Sequence, residues 1–144
     1  MKDPYQSGMF SSNPYHAKTG IVGTLNVVLD GKLENRELSL IKQISRCVLK
    51  HEIHELILSD EDSISPGSTV NKIAYLGFFE ISQGGVLTTG DSVYCVGKLI
   101  GTLAGFDETH MPNHLNIVIK CDTRQSGAEQ GVILGDEIAF IHNK

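Results

Sequence analysis

The chain has 144 residues and a formal net charge of −5, with 40% hydrophobic and 20% charged residues. That is enough chain for one domain with a core of its own, and the balance excludes a disordered polar chain or a coiled coil. The acidic charge argues against nucleic acid as a partner, which needs clustered Lys and Arg, and 15 glycines with no tryptophan point to short elements joined by tight turns.

Residues 1–19 carry Pro4, Gly8, Ser11, Ser12, Asn13 and Pro14 without periodicity, which predicts an irregular N-terminal arm. The opening residues show no basic segment followed by an apolar one. The apolar runs break within about eight residues, far short of the ~20 that span a bilayer. The expectation is a cytoplasmic protein with no membrane partner. Its cysteines, Cys47, Cys95 and Cys121, are expected to be reduced, and they lack metal-ligand spacing.

From Ile21 to Leu29 an apolar face of Ile21, Leu25, Val27 and Leu29 predicts a first strand, closed by an Asp30-Gly31 turn. Residues 38–49 fit a helical stripe (Leu40, Ile41, Ile44, Val48) and also fit strands, and periodicity does not decide between them. Two strands joined near Lys50-His51 are the preferred reading, with a helix as the alternative. Residues 52–58 are rich in β-formers and lead into Asp60, Glu61 and Asp62 and then a Pro66-Gly67 turn. Residues 70–81 predict a long strand bent at Gly77.

Beyond it, Gly84-Gly85 turns the chain, Val86-Leu87 is a short strand, and Gly90-Asp91 turns it again. Residues 92–96 and 99–106 form a hairpin about Gly97-Lys98, with glycine expected at the first central position. A polar loop follows, then strands at 114–119 and within 131–141. This spacing predicts an all-β domain over residues 20–144, a small closed or partly closed antiparallel barrel of short strands. Gly85-Val86-Leu87 before Gly90-Asp91 echoes Gly131-Val132-Ile133 before Gly135-Asp136. The echo fits a pseudo-twofold barrel or two ordinary turns.

The best candidate for chemistry is the loop holding Asp107, Glu108, His110, Asn113 and His114. Two carboxylates and two imidazoles on a loop held by rigid strands suit a small polar ligand. The same groups suit a divalent metal ion held by His110, His114 and Asp107. Pro112 opposes a helix between the histidines, so the helical His-Glu-x-x-His metal geometry does not apply. In the simpler reading Asp107 and Asn113 are turn residues and the histidines are merely exposed. A second cluster, His51, Glu52, His54 and Glu55, could bind a metal, but a solvated edge explains it more simply. No phosphate loop and no nucleophile elbow is present, which disfavours nucleotide and acyl-transfer chemistry.

Three expectations follow: a module binding a metal ion or small polar ligand at 107–114, a histidine phosphocarrier or other enzyme using His110 or His114, or a structural or protein-interaction domain that forms homo-oligomers.

The blocks at 52–58, 72–81 and 101–119, the last containing GlyPheAspGluThrHisMetProAsnHis (105–114), resemble a family of uncharacterised bacterial domains over residues 20–141. The resemblance implies a cytoplasmic β-domain whose signature is the 107–114 loop, with no assigned activity. The second half also resembles the glucitol/sorbitol-specific IIA component of the sugar phosphotransferase system. That family is a small closed barrel carrying phosphate on histidine. The similar features are the Gly-Asp turn, the hairpin leading to Gly101, and the strand entered through Asn113-His114, where that family has Gly-His. Its phosphoacceptor falls around Tyr75–Phe78, where this chain has no histidine. The resemblance therefore implies a relative that has lost phosphotransfer, in which only His114 carries over by position, and not as the acceptor.

Overall fold

The computed structural model of the protein describes residues 18–143, so the expected arm lies outside the described residues except for Lys18 and Thr19. The strands are β1 (Ile21–Val28), β2 (Lys32–Leu33), β3 (Leu38–Ser39), β4 (Ser45–Val48), β5 (Ile53–Ser59), β6 (Thr69–Val70) and β7 (Ile73–Gln83). They continue with β8 (Gly85–Thr88), β9 (Ser92–Cys95), β10 (Lys98–Asp107), β11 (Asn116–Lys120) and, after a single helical turn α1 (Gly127–Gln130), β12 (Glu137–Ile141). The order β1-β12-β9-β10-β11-β5-β7 closes on itself because β1 also pairs with β7. Pairings around the ring are antiparallel except β11 with β5, which is parallel. Two short ladders, β3–β6 and β4–β8, lie beside the ring. No helix among the described residues is long and apolar enough to cross a membrane.

Side chains fill the ring. Leu25, Leu56, Phe79, Phe106, Ile117, Ile119 and Phe140 are essentially inaccessible and belong to one core cluster. Burying each such phenylalanine contributes roughly 3 kcal/mol relative to exposure. A second cluster of Leu38, Leu40, Ile57, Val70, Ile73, Ala104 and Val118 joins β3 and β6 to residues of the ring strands. Because alternate residues of a strand face opposite ways, Ile117 and Ile119 enter one core and Val118 the other. That division explains why residues 117–119 in the middle of β11 are all apolar.

The two Gly-Asp stretches are one structural unit used twice. The Asp91 carboxylate accepts from Thr88 N–H at 3.0 Å. The Asp91 N–H donates to Thr88 O (3.0 Å), Gly90 N–H to Leu103 O (2.8 Å), and Leu103 N–H to Asp91 O (2.8 Å). At Asp136 the same four bonds recur with Ile133 and Leu25, at 3.0, 3.1, 2.8 and 2.9 Å. Gly90 and Gly135 have φ of 92° and 90°, a region glycine enters without steric cost. The correspondence runs on through β12-β1-β7 and β9-β10-β11. Asn26 is an extra residue where Leu25 and Val27 face Phe79 and Phe78. Ala104 is its counterpart where Leu103 and Gly105 face Ile119 and Val118. Strand β5 completes the ring between β7 and β11.

Several local expectations change. Asp30-Gly31 does not reverse the chain: β2 continues along β7 beyond β1, with Leu29 N–H on Leu76 O (3.1 Å) and Tyr75 N–H on Gly31 O (3.1 Å). The interruption receives the start of α1, where Ala128 N–H donates to Leu29 O (3.0 Å) and Ser126 Oγ donates to Asp30 Oδ1 (2.8 Å). The hairpin turn is Val96-Gly97, one residue earlier than expected, with φ of 49° and 75°, the primed geometry that matches strand twist. Residues 38–50 are strand and turn, as preferred over helix, although β4 pairs with β8 rather than with β5. The parallel β5–β11 pair departs from a purely antiparallel barrel.

Candidate functional site

The 107–114 loop leaves the barrel at Asp107, which is 1% exposed. Its carboxylate accepts from Ser39 N–H (2.9 Å), Thr109 N–H (2.9 Å) and Asn116 Nδ2 (3.1 Å). Burial alone would raise this carboxyl, and the bonds from Thr109, Ser39 and Asn116 outweigh it and hold it below its usual range. Asp107 is thus the loop's anchor, committed to protein donors. Glu108 is committed too, to an ion pair with Arg46.

Turn bonds from Met111 N–H to Glu108 O (3.1 Å), Asn113 N–H to His110 O (2.9 Å) and His114 N–H to His110 O (3.3 Å) wind the loop tightly. They bring the rings of His110 and His114 to 4.9 Å between centroids. His114 meets Phe78 of β7 edge-on at 4.9 Å, and Phe78 is the cross-strand partner of Glu55 on β5. Asn113 Nδ2 lies 2.8 Å from His114 Nδ1. That ring nitrogen therefore accepts, and the His114 proton sits on Nε2. Nε2 is 3.4 Å from Glu55 Oε1, but off the line of a hydrogen bond. It is buried without a hydrogen-bond partner, as is Oδ1 of Asn116.

Beyond His110 stands Arg36, whose Nη2 is 3.5 Å from His110 Nε2 and whose Nε donates to the Tyr75 hydroxyl at 3.2 Å. On the other side His54 accepts from Leu115 N–H at Nδ1 (3.0 Å), with Nε2 3.2 Å from Glu52 Oε1. The Leu115 bond makes Nδ1 of His54 the acceptor and turns its Nε2 toward Glu52. His51, Ile53, Phe78, Asn113 and His114 line an open cavity of about 340 Å³. The structure therefore brings the two histidine stretches, 51–55 and 110–114, to one place on the wall of the barrel.

Burial pushes the Glu55 carboxyl up, against the pull of Arg36. Burial, then His110 and His54, push the His114 imidazole down. Both shifts favour neutral forms. The folded chain holds the Glu55 proton where the unfolded chain has lost it. The matching stability is complete below the ordinary glutamate value of 4.5 and is lost as pH rises through the raised folded value. His114 has the opposite sign: its contribution is complete above 6.5 and is lost as pH falls through the depressed folded value. Glu55→Gln should consequently be more stable than the wild-type chain in urea unfolding at mildly alkaline pH, and lose that advantage below pH 4.5. An advantage of equal size at both pH values would show that Glu55 is not held neutral.

Of the residues expected in the site, His110, Asn113 and His114 converge, while Asp107 and Glu108 hold the loop. Among the described residues no group of three or more His, Cys, Asp or Glu side chains is arranged to hold a metal ion. Glu55 sat within a stretch singled out as an edge, and only its place opposite Phe78 gives it a role. Arg36, Tyr75 and Phe78 carried no signal, since each is a single residue brought in by pairings distant in sequence. Cys121 is a half-buried thiol that burial, then Asp60 and Asp122, push up to about 11, which makes it an unreactive nucleophile.

Fold and site together define a closed β-barrel with a filled interior and a histidine-lined polar groove on its wall. The chain belongs to the family of unknown function DUF6917, which matches residues 15–141. No curated protein and no solved structure matches the chain.

Proposed function

We propose that the protein is a binding module for a small polar ligand, taken at the wall groove by His110, Asn113 and His114 with Glu55 behind them. The observation that carries this reading is His114 Nε2, a buried polar atom on a groove-lining residue with no hydrogen-bond partner. Such atoms are costly to leave unpaired and are retained where a partner arrives. A filled barrel interior leaves the wall as the place for a ligand. A metal ion is a poorer fit, because Asp107 is spent on three protein donors and Arg36 places a fixed positive charge beside His110.

A ligand that binds only the folded chain raises its melting temperature by mass action. Inorganic phosphate, succinate, glycine and glucose form a suitable panel. At least one should stabilise the wild-type chain and leave a His110→Ala/His114→Ala variant unmoved. Equal stabilisation of both chains, or of neither, would instead favour a structural or protein-interaction domain in which the cluster serves folding alone.

A second reading, a histidine phosphocarrier, draws on one contact. His110 is exposed, and its Nε2 faces the Arg36 guanidinium at 3.5 Å, a group suited to neutralising a phosphoryl group. The phosphoryl would pass from a donor protein's phosphohistidine to a His110 ring nitrogen, with loss of the His110 proton. Incubation with the general phosphotransferase proteins and phosphoenolpyruvate should then label His110, and an unlabelled chain removes this reading.

A further inference from the structure

We infer that the ligand of this groove is an oxyanion, a small carboxylate or phosphate, held between the Arg36 guanidinium and the imidazoles of His110 and His114. The inference rests on the polar-ligand reading above and names its chemical class. The chain has three arginines. Arg46 is paired with Glu108, and Arg124 with Glu34 and Asp60. Among the described residues, Arg36 alone of the three has no carboxylate at ion-pair distance. It is nonetheless held in place: its backbone N–H donates to Asn71 O (3.0 Å) and its Nε to the Tyr75 hydroxyl (3.2 Å), which turns the Nη edge toward His110.

A guanidinium offers donors only. Its neighbour is an imidazole at 3.5 Å, a long and weak contact, and the next is a second imidazole 4.9 Å further on between ring centroids. Three nitrogen-bearing groups in a row are rich in donors and poor in acceptors, which is the complement of an oxyanion's several lone pairs. Arginine's planar fork matches the two oxygens of a carboxylate or phosphate. The acid beside the row, Glu55, is buried against His114 at 3.4 Å, and burial pushes its carboxyl up. The Nε2–H of His114, on a residue that lines the groove, has no hydrogen-bond partner of its own.

The test is the set of histidine ¹H–¹³C resonances of the full chain, titrated at fixed ionic strength with inorganic phosphate, with succinate and with glucose. Phosphate or succinate should produce saturable shifts at His110 and His114 while His142, tied to Asp91, stays still. The phosphate and succinate arms tell the two oxyanion sources apart. Arg36→Gln should weaken binding at least about tenfold, as loss of a charge-assisted fork does. Tyr75→Phe, which keeps the charge and removes only its positioning hydroxyl, should weaken it less. Shifts with glucose and not with either anion would overturn the oxyanion inference and leave the polar-ligand reading standing. Anion shifts of equal affinity in Arg36→Gln would also overturn it. No shift with any probe would remove both.

Discussion

Asp91→Ala should destabilise the chain by about 3 kcal/mol, the lower end of what breaking a buried pair costs. Asp136→Ala at the matching turn should lose only about 1 kcal/mol, the worth of a single turn hydrogen bond. Both aspartates cap their turns through the same backbone bonds. Asp91 alone also receives Lys18 Nζ at 2.8 Å and His142 Nδ1 at 3.1 Å, with its side chain 1% exposed. Removing it strands a lysine and a histidine whose side chains are 9% and 6% exposed. The lysine's long stem lets its ammonium escape to water, which places the cost at the low end of the range. Urea unfolding of the two variants measures the difference directly. Equal losses would mean that the Lys18 and His142 contacts add nothing.

Gly77→Ala should cost about 3 kcal/mol and lower the melting temperature by about 10 °C. A Cβ there would lie 2.1 Å from the carbonyl oxygen of Val27, a backbone atom of the neighbouring strand that cannot swing away. The ladders shift register on both sides of this point, at Leu25/Val27 and at Leu56/Ile57, so β1 and β7 run close together here between two irregularities. Gly31→Ala is the comparison: its Cβ would meet nothing within 4 Å, and only its φ of 106° opposes the change, a cost of about 1–2 kcal/mol. Calorimetry should rank the two variants in that order. A Gly77→Ala chain melting no lower than Gly31→Ala would show that the strands can part at little cost.

The tight contact at Gly77 was legible because glycine inside an apolar strand signals a close backbone approach. The alternation at Ile21–Val28 and the glycine-punctuated second half carried the all-β architecture for the same local reasons. What failed was local chemistry read without its partner. Asp30-Gly31 has the composition of a hairpin turn, yet β7 offers a continuous row of hydrogen-bonding groups, and the chain bulges and carries on along it. Helix α1 was readable in principle: Ser126 and Glu129 form a capping box, with Glu129 N–H on Ser126 Oγ (3.1 Å) and Ser126 N–H on Glu129 Oε1 (3.0 Å). Its single turn leaves no apolar stripe for periodicity to detect.

The site divides the same way. His110, Asn113 and His114 could be chosen because they crowd one loop. Asp107 looked equally reactive, and only the approach of Ser39 and Asn116 shows its lone pairs to be occupied. Glu55 and Arg36 reach His114 and His110 through register and strand order, which no local pattern encodes.

The twofold correspondence of the strands bears on how this groove could have arisen. The loop carrying His110 and His114 joins the second and third strands of one half, over residues 108–115. The matching connection in the other half runs from residue 29 to 72 and has grown to hold Arg36, Glu55 and the strands that cover the barrel wall. The groove lies where the long connection of one half meets the short connection of the other. Two identical half-barrels, each with a short loop, would lack β5, which completes this ring between β7 and β11, and would have no Arg36 or Glu55 to set beside the histidines. If the chain descends from a duplicated half, the histidine groove and ring strand β5 alike grew from the divergence of the two copies.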